Sequence, residues 1–265
     1  MQMCDIGGNI RLHYAETGPK DAPALVLSAA LGTDLRIWDS LLEHLPGGLR
    51  IIRYDMRGHG LSTCPDGPYY MGDLVADVGA LLDHLGAREV VFLGLSIGGM
   101  IAQGLAAERL DLVRGLVLSN TAAKIATPAI WQERIREIQT GGIGAIAFAN
   151  MERWFSRRFR AESPETVEAC LNMVLRTPQE GYIGACEAIG ETDLYESTAR
   201  LTLPTLGIGG GEDGSTPADL VRESVGLIKG ARFELMRGVG HLPSIEKPAE
   251  YAALLSGFLS EIGHI

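Results

Sequence analysis

Apolar residues along the chain fall into two alternating patterns. Short apolar-rich runs recur at Ala24–Ser28, Leu49–Tyr54, Val90–Leu95, Val113–Leu118, Thr205–Ile208 and Ala231–Met236. Such runs, bounded by turn residues, predict short strands, and the nearly uninterrupted ones suit strands covered on both faces of a parallel sheet. Between them the period changes to that of a helix. Leu74, Val78, Leu81, Leu82 and Leu85 mark a helix over Met71–Leu85, and further helices are expected at Trp38–Leu45, Gly98–Arg109, from Thr216-Pro217-Ala218-Asp219, and at Pro248–Ile262. The first segment, Cys4–Thr17, alternates instead: Ile10, Leu12 and Tyr14 share a face, and Gly7-Gly8-Asn9 reads as the turn of a hairpin. Strands alternating with helices predict an α/β fold, a mostly parallel sheet with helices on both faces.

Near Thr121 the alternation stops and helix starts follow one another with no strand between them. Thr127-Pro128 opens the first, which ends at Gly141-Gly142; the second covers Ile143–Phe155. Ser163-Pro164 opens the third, and Thr177-Pro178-Gln179-Glu180 has the form of a capping box for the fourth. Residues 122–200 are therefore expected to form an inserted helical cap, and residues 1–121 and 201–265 a single core built from two separate blocks.

Composition narrows the field. The chain has 265 residues, 46% hydrophobic, enough for one large domain with an insertion. A net charge of −10 without a basic tract argues against nucleic acid and anionic membranes as partners. Val90–Ala107 is uncharged and long enough to raise the question of a membrane span. Gly94, Gly98, Gly99 and Gly104, with Ser96 and Gln103, make it a buried strand turning into a buried helix instead. The cysteines, Cys4, Cys64, Cys170 and Cys186, are scattered and read as free thiols of a reducing compartment. With no charged n-region before an apolar stretch at the start, a cytoplasmic location is expected.

The chemistry follows from what lies after each strand, because open parallel sheets bind ligands beyond the carboxyl ends of their strands. The Val90 strand ends in Gly94-Leu95-Ser96-Ile97-Gly98, a sharp strand-to-helix corner that holds out the Ser96 hydroxyl. After Thr205–Ile208 comes Gly209-Gly210-Gly211-Glu212-Asp213, and after Ala231–Met236 comes Arg237-Gly238-Val239-Gly240-His241. A serine is a poor nucleophile unless an imidazole takes its proton, and a carboxylate must then hold that imidazole in one tautomer. Ser96, His241 and Asp213 supply these roles in the chain order Ser…Asp…His, with Glu212 the fallback acid. Asn120, after the Val113 strand, cannot carry the charge. Ser215-Thr216-Pro217 is assigned to capping the next helix. The other histidines fit a loop at the site's floor (His59) or the surfaces of strands and helices (His13, His44, His84 and His264). An oxyanion hole needs backbone amides, expected from Ile97 and from Leu31 in the loop after Ala24–Ser28. No residue spacing suits a metal, and the reaction needs no cofactor.

Several segments resemble one family. Ser28-Ala29-Ala30-Leu31-Gly32-Thr33-Asp34-Leu35-Arg36-Ile37-Trp38, Arg53–Ser62 and Gly94–Gly99 are similar to segments of the 3-oxoadipate enol-lactone hydrolases, which have the α/β-hydrolase fold. In the cap, Glu152-Arg153-Trp154-Phe155 and Thr177–Tyr182 look like the same family. Ala29 and Ala30 stand where that family usually has small polar residues. The resemblance implies a small-molecule lactone as partner and its hydrolysis to 3-oxoadipate in the bacterial breakdown of aromatic compounds. The substrate carries a carboxylate, so Trp131, Arg134, Trp154 and Lys124 become candidates to line its pocket. The alternatives are another ester hydrolase, a carbon–carbon bond hydrolase of the same fold, or a ligand-binding receptor that has kept the fold.

Overall fold

Every predicted strand joins one eight-stranded sheet in the computed structural model, which describes residues 1–265. Strands β1 (Gln2–Asp5) and β2 (Arg11–Thr17) form the hairpin, and Gly7, Gly8 and Asn9 all turn at positive φ. Next come β3 (Ala24–Ser28), a 3-10 turn at Leu35–Trp38, the short helix α1 (Asp39–Leu42) and β4 (Arg50–Tyr54). The unit α2 (Met71–His84), β5 (Val90–Leu95), α3 (Ile97–Glu108) and β6 (Val113–Ser119) follows. Six helices then intervene: α4 (Pro128–Gly141), α5 (Gly144–Trp154), α6 (Arg157–Glu162), α7 (Pro164–Leu175), α8 (Gln179–Gly190) and α9 (Tyr195–Thr198). The sheet resumes with β7 (Thr205–Gly210), α10 (Ala218–Gly226) and β8 (Arg232–Met236), and the chain closes with α11 (Pro243–Glu246) and α12 (Pro248–Glu261).

The strand order is β1-β2-β4-β3-β5-β6-β7-β8. The first two pairings are antiparallel and the other five parallel, so β3 to β8 all end on one edge. Strands β3, β4, β5 and β7 are buried at every position, because helices cover both faces. Within β5, Phe92 and Leu93 point to opposite faces and both are fully buried, each worth about 1.5–3 kcal/mol of apolar transfer. Edge strand β8 is open at most positions, and its sequence mixes charged with apolar residues accordingly. The uncharged stretch from Val90 is β5 turning into α3, and no helix is long and apolar enough to cross a membrane. All four cysteines are unpaired.

Some expectations are corrected. The helix around Trp38–Leu45 is a 3-10 turn followed by a single helical turn, started by Asp34, whose side chain accepts from the Arg36 amide. Helices α6, α9 and α11 were not expected; at four to six residues they are too short to display a period. Thr177 does not cap α8: Pro178 holds that position, and the Thr177 hydroxyl donates to the Met173 carbonyl. His13 and His264 are buried rather than on element surfaces. His13 Nδ1 lies 2.8 Å from Asp55 Oδ2, and His264 Nε2 lies 3.0 Å from the Ala24 carbonyl.

Candidate active site

Ser96 stands at the corner between β5 and α3 with φ 59° and ψ −122°, a conformation that costs an L-residue on the order of 1–3 kcal/mol. Two bonds hold it there: its amide donates to the Ser119 carbonyl (3.0 Å), and its carbonyl accepts from the Thr121 hydroxyl (2.6 Å). Glycine on either side is a packing requirement. A methyl group at Gly94 would collide with the Gly98 carbonyl, and one at Gly98 with the Ser28 carbonyl. The Ser96 hydroxyl engages no protein group and lies on the wall of a cavity of about 160 Å³ shared with His241.

The Ile97 amide opens α3, so it has no intrahelical acceptor. The Leu31 amide likewise meets no protein acceptor, and Leu31 lines the same cavity. Its loop is fixed from behind. The Gly32 amide donates to His59 Nε2 (3.0 Å), the Thr33 hydroxyl to the Ala30 carbonyl (2.7 Å), and the Leu35 amide to Asp55 Oδ1 (2.8 Å). His59 Nδ1 in turn faces the Arg57 carbonyl at 3.2 Å, which assigns the proton to Nδ1 and leaves Nε2 as acceptor. Complete burial pushes the His59 pKa down to about 4, so the imidazole stays neutral.

His241 and Asp213 are both buried, with Nδ1 to Oδ2 at 2.8 Å. The carboxylate is surrounded by donors. Oδ1 accepts from the amides of Ser215 (2.7 Å) and Thr216 (3.0 Å), and Oδ2 accepts from Asn120 Nδ2 (2.8 Å). Burial alone would raise the Asp213 pKa, but His241 and these donors hold it below the usual carboxylate range. Glu212, the fallback acid, is exposed and meets the Arg157 amide instead.

The inserted helices reach into this arrangement. The C-terminal end of α5 leaves carbonyls without helical partners, and loops of the core satisfy them. His241 N donates to the Trp154 carbonyl (2.6 Å) and Gly214 N to that of Arg153 (3.0 Å). The Trp154 ring stacks on His241 at 6.4 Å. Glu246 binds the same seam, accepting from the Gly240 amide (2.7 Å) and the Ser156 hydroxyl (2.6 Å). Burial raises its pKa against these bonds.

Arg134 and Arg153 line the cavity, and neither has a carboxylate partner. Both donate to a single neutral acceptor, Asn150 Oδ1, at 3.0 and 2.7 Å. Burial, with Arg134 close by, lowers the Arg153 pKa. The Arg134 guanidinium sits 5.5 Å from the centre of the Trp131 ring, whose Nε1 donates to the Ile125 carbonyl at 2.6 Å. An apolar-walled cavity with two uncompensated cations and a free hydroxyl is arranged to take a small anionic molecule.

The structure thus gathers Ser96, His241, Leu31, Trp131, Arg134 and Trp154 on one cavity, with Asp213 directly behind His241 and Ile97 next to Ser96. Lys124 is not among them; it pairs with Asp193 on the surface at 2.9 Å. Thr216 belongs to the site rather than to a helix cap. Its hydroxyl lies 2.8 Å from Asp213 Oδ2 and 3.3 Å from His241 Nδ1, while Pro217 occupies the cap position of α10. Asn120 and Arg153 were missed as well. Asn120 follows β6, the kind of strand end that located the other polar groups, but was weighed only as an acid and not as a donor. Arg153 carried a signal in standing beside Trp154.

Comparison with known proteins fits this geometry. The family model described as "alpha/beta hydrolase fold" matches residues 23–248. The 3-oxoadipate enol-lactonase 2 of Acinetobacter baylyi is 35% identical over 246 residues, covering 92% of this chain and 91% of that one. The 3-oxoadipate enol-lactonase 1 of the same organism is 31% identical over 245 residues, again 92% and 91%. The crystal structure of the enol-lactonase from Burkholderia xenovorans superposes with a TM-score of 0.92 at 35% identity, over 96% of this chain and 98% of that chain.

Proposed function

The chain belongs to the α/β-hydrolase family, and from that membership we propose that it is a serine-dependent lactonase opening 3-oxoadipate enol-lactone or a close carboxylate-bearing analogue. The observation that carries this reading is the meeting of Ser96 and His241 with Arg134 and Arg153 on one cavity. A plain esterase has no use for two half-buried guanidinium groups without counter-charges. A lactone with a pendant carboxylate supplies the missing anion.

In this mechanism His241 Nε2, the ring nitrogen not engaged by Asp213, takes the Ser96 proton as Oγ attacks the ring carbonyl. Negative charge forms on the carbonyl oxygen and is met by the amides of Leu31 and Ile97, which give up no protein bond to receive it. Collapse breaks the ring C–O bond. His241 returns the proton to the departing oxygen, giving an enol that tautomerises to the ketone. A water molecule, deprotonated by His241, then attacks the Ser96 ester, and the second collapse releases the carboxylate product and restores the serine. Asp213 stabilises the imidazolium in both halves. No step uses a metal or an organic cofactor.

The test is a spectrophotometric assay of enol-lactone loss beside an aryl ester and a ring-fission product. Turnover of the lactone in preference to the others, with a loss of several orders of magnitude in Ser96→Ala, is the expected result. Near-normal turnover by Ser96→Ala would overturn the nucleophile assignment. Preference for the aryl ester or for the ring-fission product would replace lactonase by those activities. Tight binding with no turnover would make the protein a receptor.

A further inference from the structure

On the other side of Trp131 from the catalytic cavity lies a second and larger one, open to the surface. It occupies about 540 Å³ beside α4 and α8, against about 160 Å³ for the cavity that holds Ser96. Of the residues lining the two, Trp131 alone borders both. Its position is set from two sides. On α8, Gly190 lets the helices approach so closely that a methyl group there would lie 3.0 Å from Trp131 Cβ. On the other side, one hydrogen bond ties the indole Nε1 to the Ile125 carbonyl, next to Ala126, which is held at φ 61°. The ring is therefore a wall between two spaces, held by one hydrogen bond, one close helix contact and the Arg134 guanidinium over its face.

The second cavity differs in character from the first. The exposed Tyr70 ring supplies aromatic surface, and Glu187 and Glu191 supply negative charge. Arg136, the cation on its rim, is paired with Glu133. Glu187 Oε2 is buried there without any hydrogen-bond partner, an acceptor with nothing to accept. The catalytic cavity presents two cations and suits a carboxylate; the outer one is bordered by the Tyr70 ring and by a carboxylate with one unsatisfied oxygen, and suits a chain ending in a hydroxyl or an ammonium group.

We propose that Trp131 is the specificity-determining partition of this enzyme: it confines the substrate to small lactones and esters, and its removal joins the outer cavity to the catalytic one, admitting long-chain esters whose far end carries a hydrogen-bond donor. The inference rests on Ser96 as nucleophile but not on the identity of the lactone.

The experiment measures kcat/KM for p-nitrophenyl acetate, butyrate, hexanoate and octanoate with the wild-type enzyme, Trp131→Ala and Trp131→Phe. The wild type should fall off steeply with chain length. In Trp131→Ala the octanoate-to-acetate ratio should rise roughly tenfold or more, since a few methylene groups gain a pocket. Trp131→Phe, which keeps a ring but loses the tether to Ile125, should shift the ratio the same way by less, and it carries the test if the alanine variant does not fold. In the opened variant, the p-nitrophenyl ester of 6-aminohexanoate should be cleaved faster than the monoester of adipate, and Glu187→Gln should abolish that preference. An unchanged chain-length ratio in a folded Trp131 variant overturns the partition, and an ammonium preference indifferent to Glu187→Gln overturns the role of the carboxylate. Ser96→Ala runs in the same series: turnover that survives it defeats the nucleophile reading, whereas Ser96-dependent turnover with an unshifted ratio defeats the partition alone.

Discussion

Replacing Asp213 by asparagine is the sharpest probe of the catalytic arrangement, because the two side chains have the same shape and differ only in what they can accept. Oδ1 receives two backbone N–H groups, which cannot turn away. The new amide must therefore keep its oxygen there and place its NH₂ where Oδ2 was, facing Asn120 Nδ2 and His241 Nδ1, both at 2.8 Å in the native protein. His241 can relieve the clash only by moving its proton to Nε2, and in that tautomer it cannot take the proton from Ser96. The expected loss in kcat is therefore about 10⁴-fold, as for the corresponding change in other triads, or about 5–6 kcal/mol of barrier. Losing charge-assisted bonds to a buried carboxylate also costs roughly 1.5–3 kcal/mol of stability per bond. The assay is kcat/KM on an aryl ester and on the enol-lactone, with near-UV circular dichroism to verify the fold. Imidazole ¹⁵N shifts then show which ring nitrogen of His241 carries the proton. A folded Asp213→Asn enzyme within tenfold of wild type, or one whose His241 keeps its Nδ1 proton, would refute the reasoning.

Three further outcomes follow from the same geometry. Arg153→Ala should raise KM for the enol-lactone by roughly ten- to a hundredfold, the worth of one charge-assisted hydrogen bond, and leave a neutral aryl ester nearly unaffected; equal effects on both substrates would deny it the carboxylate. His59 should make the fold acid-labile in a defined window. Below pH 6.5 the unfolded chain takes up a proton at this histidine, while the folded one refuses it until about pH 4, so stability is lost as pH falls across that interval. Urea unfolding from pH 4 to 7 measures the slope, which His59→Leu should flatten. Glu246→Ala leaves the Gly240 amide and the Ser156 hydroxyl without their acceptor, so the protein should lose about 2–4 kcal/mol of stability; an unchanged urea midpoint would show that water replaces the carboxylate.

The strands were legible in the sequence because burial on both faces leaves an unambiguous apolar run, as in Val90–Leu95. The site was legible for a related reason. In an open parallel sheet the polar residues just after strands are already candidates, and Ser96, Asp213 and His241 follow β5, β7 and β8. What escaped were side chains whose partners the local pattern does not single out. Asn120 reads as a failed acid until Asp213, 93 residues later, is seen to accept from it. Thr216 has the spacing of a cap, and only its hydroxyl's position against Asp213 and His241 shows otherwise. Thr177 completes a capping-box pattern, yet its hydroxyl bonds backward to Met173. Local patterns such as capping boxes describe the options of a side chain, and tertiary contacts choose among them.

The inserted helices are bonded into the candidate site rather than laid over it as a cover. A helix ends with unmet carbonyls, and α5 ends on the two loops that matter: Arg153 meets the Asp213 loop through Gly214, and Trp154 meets His241 itself. The next residue along each strand of this seam adds a constraint, since Glu246 ties Gly240, beside His241, to Ser156, just past α5. The side chains of the same two α5 residues face the cavity, Arg153 with its charge and Trp154 with its ring against the imidazole. A change in α5 that shifts its end therefore moves the His241 imidazole and the Arg153 guanidinium together. In the proposed mechanism one helix terminus then sets both substrate fit and proton transfer, so substitutions that disturb its carbonyls should lower kcat as well as raise KM, whereas trimming the Arg153 side chain alone should act on KM.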